Sequence, residues 1–406
     1  MKRILLIFSL IAINSNFIFG QIDTANGRYY QQIFPNVTLS SNIVYGSNTK
    51  SNNTSQTLLL DIYEPTGDTV AQRPLIILAH GGSFIGGTKT EQDMVEMSNR
   101  FAKMGYVVAS IEYRVGFYPF DSINAIKAVI RAVQDMKASI RFFRKAPQTY
   151  RIHPNYIFAG GSSAGAFMGL HTAYMDKEAE AYQLISASAL TALGGLDGNS
   201  GNPGYSSKVS GVINLCGAMG LANWIEAEDP PFVSTHGTQD GTVPYGTARI
   251  YVAGFPIMVV EGSSSLKIHA ATIPVVNPFH TYEGAGHVPY LGTSASQVAY
   301  MDTTIDFVRD FLRPLLGGAS SISVNQIDQK STLKIFPNPV HDHIIVSFEE
   351  DMKSPRAEVY SFNGAFVKSY PLTSKNTLHL NLDTGVYFIK ILDGELVLKT
   401  EKIVVN

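Results

Sequence analysis

The sequence predicts an α/β chain in which a mainly parallel, doubly wound sheet flanked by helices is followed by a small all-β sandwich. Three observations carry that expectation. Short apolar runs, "LIILAH", "YVVAS", "YIFAG", "GVINLC" and "FVSTHG", end in small or polar residues and alternate with helical patterns, as parallel strands covered on both faces do. From Leu333 onward only short strand-like runs occur, separated by turn signals. The 406 residues, 45% hydrophobic and 16% charged, exceed what one domain needs on a prior of about 150 residues per domain.

Taken in order, residues 1–20 read as an export signal. Lys2 and Arg3 precede the apolar run Ile4 to Ile13, and a polar break leads to Gly20, near which cleavage is expected. An uncleaved anchor is the alternative, but the run is shorter than the ~20 residues that span a bilayer. Residues 21–317 form the α/β domain. It opens with two strands, "VTLSSNIVYG" and "LLLDIYEP", around the polar turn "SNTKSNNTSQ". A helix begins near Thr90, with Met94, Met97, Phe101 and Met104 on one face and Gly105 at its C-terminal cap. A longer one follows Asp121, and Ile123, Ile126, Val129, Ile130, Val133, Met136, Ile140 and Phe143 keep a helical step before Pro147. Between Ala179 and Lys208 the pattern fails, and "GGLDGNSGNPGYSS" reads as a loop that either overhangs a site or is a surface excursion. The last helix is expected from Asp302 to Arg313, stopped by Pro314. A linker, 318–332, leads to the sandwich at 333–406, where Asn363-Gly364 and Asp393-Gly394 are the strongest hairpin turns.

Composition narrows the function. A net charge of -2 gives no electrostatic reason to bind nucleic acid or an anionic membrane. The single cysteine, Cys216, permits no internal disulfide; it reads as a small buried hydrophobe, with a lone catalytic thiol as the alternative. No zinc-like spacing of ligands occurs, His341 and His343 being a weak pair, and there is no phosphate-binding or dinucleotide glycine fingerprint. Neither metal nor cofactor is expected.

Acyl transfer through a covalent intermediate needs a nucleophile, a base, an acid that orients the base, and donors for the oxyanion. In "YIFAGGSSAGA" the frame G-x-S-x-G fits Gly161, Ser162, Ser163, Ala164 and Gly165, with Ser163 at its centre. The frame centred on Ser162 ends in Ala164 where the second glycine belongs. A strand precedes the motif and an apolar helix follows it, as the sharp turn requires. The turn after "LIILAH" supplies Gly82 and Ser83 as oxyanion donors, joined by Ala164 next to the nucleophile; His80 reads as a residue that holds this loop. Asp240, just past the strand "FVSTHG", is the acid, with Asp229 and Asp197 as rivals. His287, in the glycine-flanked loop "YEGAGHVPY", is the base. His280, His269 and His171 lack that loop context, and His236 reads as scaffold. Trp224 either lines an acyl pocket or packs in the core.

Together "LDIYEP", "HGGSF", "GYVVASIEYR", "GGSSAGA", "HGTQDGTVPY" and "GAGH" resemble the α/β-hydrolase superfamily, over Val37 to Leu316. Within it they resemble bacterial carboxylesterases and acetyl-xylan or feruloyl esterase relatives. The resemblance implies a serine esterase with Ser163, Asp240 and His287 as triad, acting on acylated polysaccharide or related esters. A serine peptidase, a polyester depolymerase or a non-catalytic binding protein would be built on the same fold. Ser83 departs from the HGGG pattern, where a glycine stands, but a backbone donor survives the change. "IFPNP", "VYSFNGAFV" and the final "KIVVN" resemble the sorting domain of the type IX secretion system of Bacteroidetes. That implies the secretion machinery as partner and a secreted or cell-surface destination; a carbohydrate-binding or adhesive module is the alternative.

Overall fold

The computed structural model describes residues 22–316, 334–348, 354–361, 366–373, 375–394 and 396–405. The expected export signal, the linker and the Asn363-Gly364 turn lie outside them. The chain forms two compact units, Met1–Ala319 and Ser320–Asn406.

The first unit is built on an eight-stranded sheet. It contains β1 (Val37–Thr49), β2 (Ser55–Pro65), β3 (Arg73–Ala79), β4 (Val107–Ile111), β5 (Ile152–Ser162), β6 (Gly211–Leu215), β8 (Phe232–Gly237) and β11 (Phe279–Tyr282). Their order is β1-β2-β4-β3-β5-β6-β8-β11. β1 and β2 form an antiparallel hairpin, β2 meets β4 antiparallel, and every later pairing is parallel. The apolar runs make central strands because both faces are covered. In β3, Leu75, Ile77 and Ala79 point to one core, and Ile76 and Leu78 to the other.

The helices are sorted by those faces. On the first lie α2 (Ser122–Lys145) and α3 (Ala164–Tyr174), through Ala128, Ala132, Met136, Phe167 and Met168. On the second lie α1 (Gln92–Lys103) and α7 (Ala295–Leu315), through Met94, Met97, Phe101, Ile305, Val308 and Leu312. α2 starts where its cap predicts: the Asp121 carboxylate accepts from the Asn124 N–H at 2.8 Å. α1 is capped at Glu91 rather than Thr90, and Gly105, with φ 111°, follows its end.

Two expectations need correction, and one sheet has no counterpart among them. α7 begins at Ala295, because Ser294 and Gln297 form a capping box, and it runs through Pro314 to Leu315. A proline there forfeits a single intrahelical bond in the last turn. The segment from Ala179 to Lys208 is not wholly loop: it carries α4 (Glu178–Ala181) and α5 (Ala187–Ala192), and Leu190 and Leu196 are buried. Its glycine-rich part is pinned against β1 and α2, with the Ser200 carbonyl accepting from Ser47 N–H at 2.9 Å and Ser200 Oγ donating to Asp135 at 2.6 Å. A three-stranded antiparallel sheet escaped the reading altogether: β7 (Ala218–Met219), β9 (Thr247–Val252) and β10 (Phe255–Gly262), followed by α6 (Ser263–Ala270).

The second unit is all-β. One sheet joins β12 (Lys334–Phe336), β13 (His343–Ser347) and β16 (Lys375–His379); the other orders β15 (Phe366–Pro371), β14 (Pro355–Ser361), β17 (Gly385–Asp393) and β18 (Leu396–Val405). Ile344, Val346, Ala357, Val359, Ile389, Ile391 and Ile403 form their shared core. Gly394, at φ 60°, turns β17 into β18 where Asp393 pairs with Leu396. Among the described residues, no helix is long and apolar enough to cross a membrane.

Candidate active site

Ser163 sits between the end of β5 and the start of α3, with φ 54°. The flanking glycines are required by what lies against them: a Cβ on either Gly161 or Gly165 would overlap the carbonyl oxygen of Ala79. Gly161 also has φ 151°. The sharp turn thus rests on the tip of β3 and brings Ser163 to the loop that follows that strand. A Cβ on Gly81 would stand 3.4 Å from that of Ser163.

Ser162 faces the opposite way. Its Oγ lies 2.8 Å from the Tyr290 hydroxyl in a fully buried position. The neighbouring Asp93 carboxyl is buried, which pushes its pKa up against a hydrogen bond from Ser162.

Ser163, His287 and Asp240 come together from three separate loops. Ser163 Oγ is 2.9 Å from His287 Nε2, and His287 Nδ1 is 2.6 Å from Asp240 Oδ2. A carboxylate can only accept, so Nδ1 carries the hydrogen and Nε2 is left to accept from the serine. Asp240 Oδ1 accepts the N–H groups of Thr242 and Val243, each at 2.8 Å. Burial raises the Asp240 pKa, but hydrogen bonds from His236, His287 and Val243 N–H outweigh it and hold the group well below the ordinary carboxylate range.

The HGG turn is equally constrained. Gly82, Ser83 and Phe84 have φ 114°, 53° and 60°. Among the described residues, the N–H groups of Gly82, Ser83 and Ala164 are donated to no protein acceptor, whereas Ser163 N–H is donated to Leu215 O at 2.8 Å. Unpaired donors beside a serine hydroxyl are of the kind that holds a developing oxyanion. His80 stacks on Tyr113 with ring centroids 4.3 Å apart, and its Nδ1 donates to Gly81 O at 2.6 Å. Burial lowers its pKa to about 4, so it holds the loop as a neutral ring. Cys216 and Val288, both close to the triad, add further non-glycine residues with positive φ, at 55° and 48°. Backbone strain of this kind concentrates at functional sites.

The rivals lie elsewhere. Asp197 is exposed and bridges Lys137 at 3.2 Å, while Asp229 accepts Glu226 N–H at 2.7 Å. His280 packs against Tyr282 and Phe307, and His269 Nε2 lies 3.0 Å from Ile225 O. Trp224 is buried behind His171, edge to face at 5.8 Å.

His236 and Cys216, read from the sequence as scaffold and as a buried hydrophobe, both lie against Asp240. His236 Nε2 lies 3.2 Å from Asp240 Oδ2 and 3.1 Å from Val243 O. Its signal was its position on β8, four residues before the acid, at the strand tip that presents Asp240. Cys216 is buried with its sulfur among the ligand atoms of Asp240 and His287, all within 4.8 Å of one another. Burial pushes that thiol up to about 12, and Asp240 and His287 already bond each other, so Cys216 packs against that pair rather than completing a free ligand set.

Comparison with known proteins bears on both units. Residues 60–224 match the BD-FAE family model, and residues 334–406 match the Secretion system C-terminal sorting domain. Carboxylesterase 3B of Mus musculus is 32% identical over 114 residues, 27% of this chain and 19% of that protein. Neuroligin-like protein glit-1 of Caenorhabditis elegans is 29% identical over 117 residues, 28% of this chain and 16% of that protein. The chain therefore spans under a fifth of the length of these curated relatives. In structure it is similar to Thermogutta terrifontis esterase 2 phosphoramylated by tabun, with TM-score 0.51 and 21% identity over 71% of this chain and 98% of that one. At that identity the likeness is one of fold.

Proposed function

We propose, from the α/β-hydrolase fold and the matches of residues 60–224 and 334–406 to the BD-FAE and Secretion system C-terminal sorting domain models, that this chain is an exported serine carboxylic-ester hydrolase. The observation that carries the reading is the continuous line from Ser163 Oγ through His287 to Asp240, at 2.9 and 2.6 Å, beside three unpaired N–H groups.

In this reading Ser163 Oγ attacks the ester carbonyl while its proton passes to His287 Nε2. Asp240 stabilises the imidazolium through Nδ1–H. The oxyanion is held by the N–H groups of Gly82, Ser83 and Ala164. Collapse expels the alcohol, which takes the proton from Nε2 and leaves an acyl group on Ser163. Water, deprotonated by the same nitrogen, then releases the acid and restores the serine.

The sorting domain supports passage through the type IX machinery to the cell surface or medium. An ester carried by a polysaccharide is the substrate that destination favours, with a polyester or lipid ester using the same chemistry.

Ser163→Ala should lower kcat on p-nitrophenyl acetate by about a million-fold, as nucleophile loss does in serine hydrolases, and should abolish fluorophosphonate labelling. Ser162→Ala should keep most of the activity, since its side chain faces Tyr290. Survival of the first variant alongside loss of the second would overturn the assignment.

A further inference from the structure

An apolar cavity of about 80 Å³ reaches Ser163, and its walls include Ser83 and Ala164. One wall is α2, through Ala125, Ile126, Val129 and Ile130, positions that share one side of the helix. The opposite wall is the β9–β10 hairpin, through Val252, Ile257, Met258 and Val260. Met175 and Leu184 line it as well.

Resting on the esterase reading above, we propose that this cavity is the acyl-binding site and that it takes an aliphatic acyl chain of several carbons rather than acetyl or feruloyl. Which half of the ester it receives follows from proton transfer. The departing alcohol oxygen must face His287 Nε2, which protonates it, and the cavity is walled by Ser163 and the oxyanion-side residues but, among the described residues, not by His287. The group directed into it is therefore the acyl group.

The class of acyl group follows from the lining. Apart from Ser163, the polar residues along it are Ser83, His171, Thr242 and Tyr251. His171 is already committed: Nδ1 donates to Phe167 O at 2.8 Å, Nε2 accepts Gly220 N–H at 3.3 Å, and burial lowers its pKa to about 4. Among the described residues, no charged one lines the cavity. An acetyl group would leave the apolar lining on α2 and the β9–β10 hairpin bare, and a methoxyphenol would bring polar atoms into an apolar slot. Beyond the mouth the apolar surface continues, since the lining residue Phe117 packs on Phe120 at 5.4 Å and Phe120 on the exposed Phe255 at 5.6 Å.

The test is a p-nitrophenyl ester series from acetate through butyrate and hexanoate to octanoate, with methyl ferulate alongside, on the full chain. kcat/KM should rise along the series by up to about fourfold per methylene, the worth of burying one CH2. Val129→Trp and, separately, Met258→Trp should cut the octanoate-to-acetate ratio of kcat/KM by tenfold or more, with fluorophosphonate labelling checking that each variant has folded. A wild-type protein that labels but prefers acetate or ferulate overturns this proposal and leaves the serine-esterase reading standing. Absence of both turnover and label removes that reading, and this one with it.

Discussion

Asp240 receives two histidines on one oxygen. His287 Nδ1 and His236 Nε2 lie 2.6 and 3.2 Å from Oδ2, and because Val243 O, 3.1 Å from His236 Nε2, can also only accept, that nitrogen too must carry its hydrogen. The carboxylate is thus ionised and oriented before substrate arrives. Asp240→Asn should lower kcat at neutral pH by about 10⁴-fold, because an amide N–H facing Nδ1 leaves Nε2 protonated and unable to accept from Ser163. The same variant has a signature in stability. Asp240 has a depressed pKa in the folded chain, so its contribution is fully present above the unfolded value of about 3.9 and is lost as pH falls from there toward the folded value. Melting temperatures of the wild type should therefore fall more steeply below pH ~4 than those of Asp240→Asn. Parallel curves would show that the carboxylate is not held as its contacts indicate.

At the scale of elements, the parts legible in the sequence are those whose environment is uniform. β3, β4, β6 and β8 are buried along their whole length, so each carries a short apolar stretch that ends in small or polar residues. The turn at Ser163 was legible because its two glycines answer to one atom, the Ala79 carbonyl oxygen. The β9–β10 hairpin was not. Most of β9 is exposed, and the two strands shift register between Pro256 and Val259, so neither a run nor a clean alternation marks them, although they wall the cavity. His236 reads as scaffold and is scaffold, but that it holds Asp240 follows only from the strand tip that carries both. The glycine argument makes a sharp prediction about the elbow. Gly161→Ala and Gly165→Ala should each lose at least ~2 kcal/mol of stability, since neither Cβ can be placed without moving β3 from β5 or α3. Denaturant midpoints measure this, and an unchanged midpoint in both would mean that the turn is looser than its contacts imply.

At the scale of the whole molecule, the chemistry and the sorting module occupy different units. Every strand of the eight-stranded sheet, the hydrogen-bonded line Ser163–His287–Asp240, the unpaired N–H groups of Gly82, Ser83 and Ala164 and the apolar cavity lie within Met1–Ala319. Ile335, Val340, Ile344, Ile389 and Ile403 form a core within the second unit. Each unit thus buries its own apolar surface, the condition for folding alone. A chain ending at Ala319 should keep the melting temperature of the catalytic unit and the kcat/KM of the full chain on p-nitrophenyl butyrate, while losing export when expressed in a host with the secretion machinery. Loss of turnover on truncation, with the triad intact, would show that the sandwich supports the active site rather than serving only as a sorting module.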